Sequence, residues 1–324
     1  MKTRSLTEGA MLGAITVLLT ILGEYIGIPS VIVPVPLMLL VYRQGFQYGI
    51  LTAVVAALVS SLVAGHVFSG LTIIIWGFVG VAVGMALREK FTFPQLMLVG
   101  IASNIVVIGL NFLLYALIIG GNVFTEMLVM FSESMEQAMQ TAQSLGATGE
   151  ALKLYEDLQT FGPMILKWGL PAMLLLYAVS MSYINLAVVR LILRRMGDHS
   201  TPWIAPFTKW QLPPYFGLFL IFGMIITVLM QVTTLHPWLQ FVGLNLFLLS
   251  FYAYLIAGVS LAWYYFQKKN VAMFLRVLLL FMLFTMQLLV LILIFLTVAD
   301  GVFDFRRLKS PQAESLLEEQ DEEN

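Results

Sequence analysis

The hydrophobic positions of this chain gather into long runs separated by short polar breaks. Runs near residues 10–28, 30–42, 46–65, 68–87, 95–120, 163–193, 214–233, 238–266 and 271–299 predict membrane-spanning helices. An α-helix needs about 20 apolar residues to cross a hydrocarbon core of about 30 Å. The fold class that follows is an all-α polytopic helical membrane bundle of eight or nine transmembrane helices. The second run is the short one, since its 13 residues rise only about 20 Å.

Charge placement bears on that short run. With the N-terminus in the cytoplasm, the internal breaks hold Lys2, Arg4, Arg43, Arg88, Lys90, Arg190, Arg194, Arg195, Lys209, Lys268, Lys269 and Arg276, which are 12 of the 17 basic residues. The external breaks hold Lys153 and Lys167. This alternation satisfies the positive-inside rule only if the second run crosses, so it is counted as a short, steep crossing. Nine crossings then place residues 300–324 outside, although Arg306, Arg307 and Lys309 favour the cytoplasm. The sequence leaves that conflict standing.

Composition agrees with the runs. The chain of 324 residues is 60% hydrophobic and 11% charged, with a mean hydropathy of +0.92, against about 25% charged in soluble domains. Cysteine is absent, which excludes disulfides, thiolate nucleophiles and cysteine metal sites. A net charge of −1 gives no basic footprint for nucleic acid.

The polar breaks suggest four parts. Residues 1–195 form a six-segment membrane bundle, interrupted at 122–162 by an acidic insertion expected to fold outside as a helical hairpin. In that insertion Glu126, Glu133, Glu136, Glu150, Glu156 and Asp157 face Lys153, a net of −5. Residues 196–213 read as an interfacial linker with prolines and tryptophans. Residues 214–299 make a further membrane part of three spans, or two. Residues 300–324 end in a like-charge acidic run expected to be disordered.

The most specific stretch is residues 9–49. Gly9 and Gly13, like Ala10 and Ala14, lie four apart, so small side chains line one face of the first helix. Such a face lets another helix backbone approach closely. These four residues are the candidate partner-docking set, although the same spacing also serves ordinary packing within a bundle. Pro29, Pro34 and Pro36 then interrupt the next run. A break of this kind at membrane depth needs protein or a water-filled cavity around it.

Candidate ligand-binding residues are the polar groups inside runs. Glu24 is the carboxylate within the first helix, and ionisable groups at depth are functional candidates. Asn104 and Asn111 lie seven apart on one helical face, and Asn185 sits in a later span. Membrane asparagines also bond neighbouring helices. His66, His199 and His236 lie at run edges, with no HExxH-type pair. No nucleophile has an in-span base, and no phosphate-binding glycine loop is present. The expectation is therefore a non-enzyme with no metal and no cofactor, which does not itself power transport.

The small-residue first helix, the Pro34-Val-Pro36-Leu37 segment, Arg43-Gln44-Gly45 and the alanine-rich third run resemble the substrate-binding S components of energy-coupling-factor (ECF) vitamin transporters. The whole chain more closely resembles the YybS family of uncharacterised membrane proteins from Gram-positive bacteria. The S-component resemblance implies docking of Ala10-Met-Leu-Gly-Ala14 on a transmembrane coupling subunit that works with ATPases. It also implies capture of a small solute from outside, beneath the loop at Gly27–Val35. The expected function is a small-solute binding and uptake component of the bacterial cytoplasmic membrane with a separate energising partner. The alternative is a membrane scaffold or regulatory subunit of a cell-envelope or signalling complex, recruiting partners through residues 122–162 and 300–324.

Overall fold

The structure is a computed structural model that describes residues 3–308. Its regular elements among those residues are all helical. They are α1 (Thr3–Ile26), a 3-10 turn (Ile28–Ile32), α2 (Pro34–Gln44), α3 (Phe46–Ala64), α4 (Val67–Arg88) and α5 (Phe93–Ile119). Then come α6 (Val123–Ser144), α7 (Glu150–Arg195), a 3-10 turn (Phe207–Lys209), α8 (Phe216–Val232), α9 (Pro237–Lys268), α10 (Met273–Thr285) and α11 (Gln287–Phe303). The acidic run expected beyond residue 308 lies outside the described residues.

Local chemistry sets the boundaries. Gly27 takes φ 79° and ends α1, a region that glycine enters without a Cβ clash. Prolines occupy the first turns of the 3-10 turn and of α2, where the missing N–H costs no helix bond. Gly65 closes α3 in the left-handed region, and the His66 Nδ1 accepts the Ser69 N–H to cap α4. Thr92 and Gln95 form a capping box that starts α5.

Six helices (α1, α3, α4, α5, α7 and α9) are long and apolar enough to cross a bilayer, and the broken pair α10–α11 makes a seventh if counted as one. Their outer faces expose Leu18, Leu58, Leu62, Leu113 and Leu117, the surface that hydrocarbon covers. This is a multi-pass membrane protein embedded in a lipid bilayer. The second and seventh runs form shorter helices, α2 with 11 residues and α8 with 17. The second half of the acidic insertion is the first part of α7, which runs unbroken for 46 residues from Glu150.

Helix contacts divide the chain into two units, one of residues 1–163 with 173–204 and one of 164–172 with residues from 205 onward. In the first, the 3-10 turn starts beside Gly23, where a Cβ would lie 2.9 Å from the Ser30 backbone nitrogen. The following α2 ends beside the start of α1, where Ser5 Oγ donates to Gln44 Oε1 at 2.6 Å. The short run therefore travels back along α1. It is wholly buried from Pro34 to Val41, because α4 offers it a glycine face. A Cβ at Gly80 would come 2.9 Å from the Pro34 carbonyl oxygen, and one at Gly84 2.8 Å from that of Met38.

In the second unit, α8 and α9 are antiparallel, with Gly217 against Tyr254, Gly223 against Phe247 and Gly243 against Ile226. The Asn245 amide clamps the stretch of α7 that belongs here. Its Oδ1 accepts the Ala172 N–H at 2.8 Å, and its Nδ2 donates to the Trp168 carbonyl at 2.6 Å. Those groups flank Pro171, whose missing N–H weakens the helix at that turn.

Candidate functional site

The small-residue face of α1 splits into two faces of different fate. Gly9 and Gly13 are buried against α3, where a Cβ on either would meet Thr52 at 3.0 and 2.9 Å. Ala10 and Ala14 are exposed. Together with Gly9, Gly13 and Thr52 they line an apolar groove of about 610 Å³ between α1 and α3, with Leu18, Tyr48, Val55 and Val59 along its walls. The glycines draw α3 close, and the exposed alanines stand beside them in the trough between the two helices.

One end of the first unit is basic. It gathers Arg43, Arg88, Lys90, Arg194 and Arg195 near the ends of α2, α4 and α7. There Glu8 Oε1 lies 2.9 Å from Arg43 Nε, and Gln44 Nε2 donates to Glu8 Oε2 at 2.6 Å. Tyr42 donates to Asp198 Oδ2 at 2.6 Å, tying the segment after α7 to α2. The Tyr42 hydroxyl, followed by the Ser200 hydroxyl and N–H, holds the Asp198 carboxyl below its usual range. Trp203 seals this end, edge-on to Phe93 at 5.0 Å and beneath the Arg190 guanidinium at 4.7 Å.

The opposite end carries Glu24, whose Oε2 is 3.4 Å from His66 Nε2. The other ring nitrogen, Nδ1, accepts the Ser69 N–H at the α4 cap, so one imidazole links the start of α4 to Glu24 of α1. Asn104 and Asn185 are buried between α5 and α7. The Asn104 Nδ2 donates to Ser182 Oγ at 3.2 Å and to the Gly100 carbonyl at 2.9 Å, while Asn185 Nδ2 donates to the Met181 carbonyl at 2.8 Å. Neither Oδ1 receives a hydrogen bond from the described residues. Asn111 is exposed and lines a separate pocket of about 220 Å³ between α4 and α5, beside Thr72 and Tyr115. The structure thus pairs Glu24 with His66, places Asn104 and Asn185 on one helix interface, and sets Asn111 elsewhere.

Two intrahelical carboxylates escape the hydropathy reading. Glu8 precedes the first run and Asp300 follows the last, yet both lie inside helices, α1 and α11. Asp300 pairs with Arg306, and both side chains are fully buried, with Oδ2 2.8 Å from Nη2. Arg306 also donates to the carbonyls of Thr208 and Trp210 and to Ser260 Oγ, at 2.8–2.9 Å. Gln211 Nε2 adds donors to the Asp300 carbonyl and carboxylate at 2.9 and 3.1 Å. The available signal was a carboxylate and a guanidinium six residues apart at the foot of an apolar run. Among the described residues no three His, Asp or Glu gather as a metal site.

Comparison with known proteins adds a family. A family model described as a predicted membrane protein (DUF2232) matches residues 14–301. The chain belongs to the DUF2232 family. The chain is also similar to the uncharacterized protein YybS of Bacillus subtilis (strain 168), 24% identical over 280 residues that cover 83% of this chain and 86% of the relative. No solved structure matches the chain. The DUF2232 match takes in parts of both units. It begins at Ala14 in the groove and ends one residue past Asp300.

Proposed function

We propose that this DUF2232 protein is the solute-binding membrane component of an uptake system, energised by a separate partner that docks a transmembrane helix in the α1–α3 groove. The observation that carries the reading is the division of the small-residue face. Gly9 and Gly13 are buried where α1 meets Thr52 of α3, whereas Ala10 and Ala14 are the exposed pair in an apolar groove that, among the described residues, is lined by α1 and α3 alone. Small residues facing outward in a membrane permit the close backbone approach on which helix association depends. The resemblance of this face and of Pro34–Leu37 to ECF S components makes the occupant a helix of a coupling subunit acting with ATPases.

The basic end of the first unit faces the cytoplasm under the positive-inside rule, which puts Glu24 and His66 outside. Counting the 3-10 turn with α2 as one crossing gives an S-component-like six-segment part in the first 195 residues and eight or nine segments in all. Glu24, Asn104, Asn111 and Asn185 remain the candidate ligand contacts, and the two unpaired asparagine carbonyls offer acceptors to a solute that carries N–H or O–H donors. Catalysis has no part in this reading, because no nucleophile–base arrangement accompanies the face.

The test is affinity purification from native membranes in mild detergent, followed by mass spectrometry of proteins and retained small molecules. Coupling and ATPase subunits that co-purify with the wild type and are lost on Ala14→Leu support the reading. Unchanged association in a folded Ala14→Leu protein refutes the docking assignment.

A second reading, a scaffold or regulatory subunit, draws on α6. This helix has no buried residue and exposes Glu133 and Glu136. Recovery of cell-envelope or signalling proteins that depends on α6 would favour it.

A further inference from the structure

We infer that α10 and α11 form a re-entrant pair rather than a crossing, so that residues 300–308 return to the cytoplasmic face. The inference is independent of the uptake reading. As one straight helix, the 30 residues of the two elements would extend about 45 Å and carry Asp300 through the bilayer. The chain instead breaks at Met286, which is extended at φ −111° and ψ 104°. Thr285 helps end α10 by donating its hydroxyl to the Met282 carbonyl at 2.8 Å, a local bond that competes with helix continuation.

Both ends of the pair lie at the same end of α9. At the start, the Arg276 guanidinium sits 5.6 Å from the Trp263 ring. At the finish, Arg306 Nη1 donates to Ser260 Oγ at 2.9 Å. Trp263 and Ser260 are three residues apart, about 4.5 Å along the axis. In between, α11 descends past Gly258, where a Cβ would meet the Leu293 Cγ at 2.7 Å. It then passes Gly217 beside Val298 at 3.7 Å and reaches the Leu212 carbonyl, 3.1 Å from a Cβ at Gly301. Helix α11 therefore runs parallel to the last third of α9, and α10 meets it at a bend of 106°, so the pair turns back on itself instead of continuing across.

Charge identifies the side. This end of the second unit holds Lys209, Lys268, Lys269, Arg276, Arg306 and Arg307, whereas the end at residues 164–172 and 233–245 holds Lys167. That bias makes it the cytoplasmic end. The conflict over the tail is thereby removed, because Arg306 and Arg307 no longer sit outside. Arg306 fixes the return, since its donors take the carbonyls of Thr208 and Trp210 and its charge is cancelled by Asp300.

The native absence of cysteine gives a clean test. Single cysteines at Ser310→Cys, Thr201→Cys and Ser144→Cys are labelled with a membrane-impermeant maleimide in intact cells and in inverted vesicles. The expected result is labelling of Ser310→Cys with Thr201→Cys in inverted vesicles alone, and of Ser144→Cys in intact cells alone. Labelling of Ser310→Cys from outside the cell overturns the inference. A C-terminal alkaline phosphatase fusion provides a second reading: an inactive fusion supports the return, and an active one refutes it.

Discussion

Arg306 and Asp300 form an ion pair with neither side chain exposed, Nη2 to Oδ2 at 2.8 Å, at the foot of α11. Neutralising one partner leaves the other as an uncompensated buried charge, which costs about 3–5 kcal/mol. Arg306→Met and Asp300→Leu should each lower the thermal midpoint of the detergent-solubilised protein by several degrees. The double variant should recover part of the loss, because the charge imbalance is gone while the carbonyls of Thr208 and Trp210 stay unpaired. A double variant as damaged as the sum of the two single variants would show that the pair is not coupled.

The contact of α2 with α4 predicts a graded response to added methyl groups. A Cβ at Gly84 would lie 2.8 Å from both the Met38 carbonyl oxygen and the Val41 Cβ, whereas one at Gly109 meets nothing within 4 Å. Overpacking of this kind costs about 1–3 kcal/mol. Gly84→Ala should therefore destabilise by that amount. Gly109→Ala should be neutral or stabilising by up to about 1 kcal/mol, and thermal unfolding of the two proteins separates the cases.

The Tyr42–Asp198 bond predicts a pH dependence with a definite sign. The Asp198 carboxyl is held below its ordinary value, chiefly by the Tyr42 hydroxyl. A depressed carboxylate contributes stability that is complete above its unfolded pKa of about 3.9 and is lost as pH falls through the lower folded value. Tyr42→Phe should cost about 1 kcal/mol or less near neutral pH, because the site is open to solvent. The difference from wild type should shrink once pH drops below the carboxylate range. A difference that stays constant down to about pH 3 would rule out the carboxylate as its source.

Much of this architecture is legible in the sequence, and the limits have physical causes. The runs locate the helices because bilayer thickness sets their length. The small residues of α1 are visible as a stripe, but the pattern does not say that Gly9 and Gly13 turn inward and Ala10 and Ala14 outward. That choice depends on Thr52, 39 residues beyond Gly13. Glu8 and Asp300 were hidden because hydropathy trims a run at its first charge, even where the helix continues and a distant partner neutralises it. The last run read as one unbroken helix because apolar composition carries no signal for a break at Met286. The clamp of Asn245 on the Trp168 carbonyl and the Ala172 N–H, either side of Pro171, joins residues more than 70 apart and has no local signature.

The central claim is that the α1–α3 groove receives a transmembrane helix of another protein, and photo-crosslinking tests it most directly. A benzophenone amino acid placed at Ala14 of the full chain is irradiated in native membranes, with the same group at Glu136 of α6 as comparison. The account predicts a discrete adduct between Ala14 and one integral membrane protein, lost when Ala10 is changed to leucine. Adducts to lipid alone at Ala14, with protein adducts confined to Glu136, would contradict it and point to recruitment through α6.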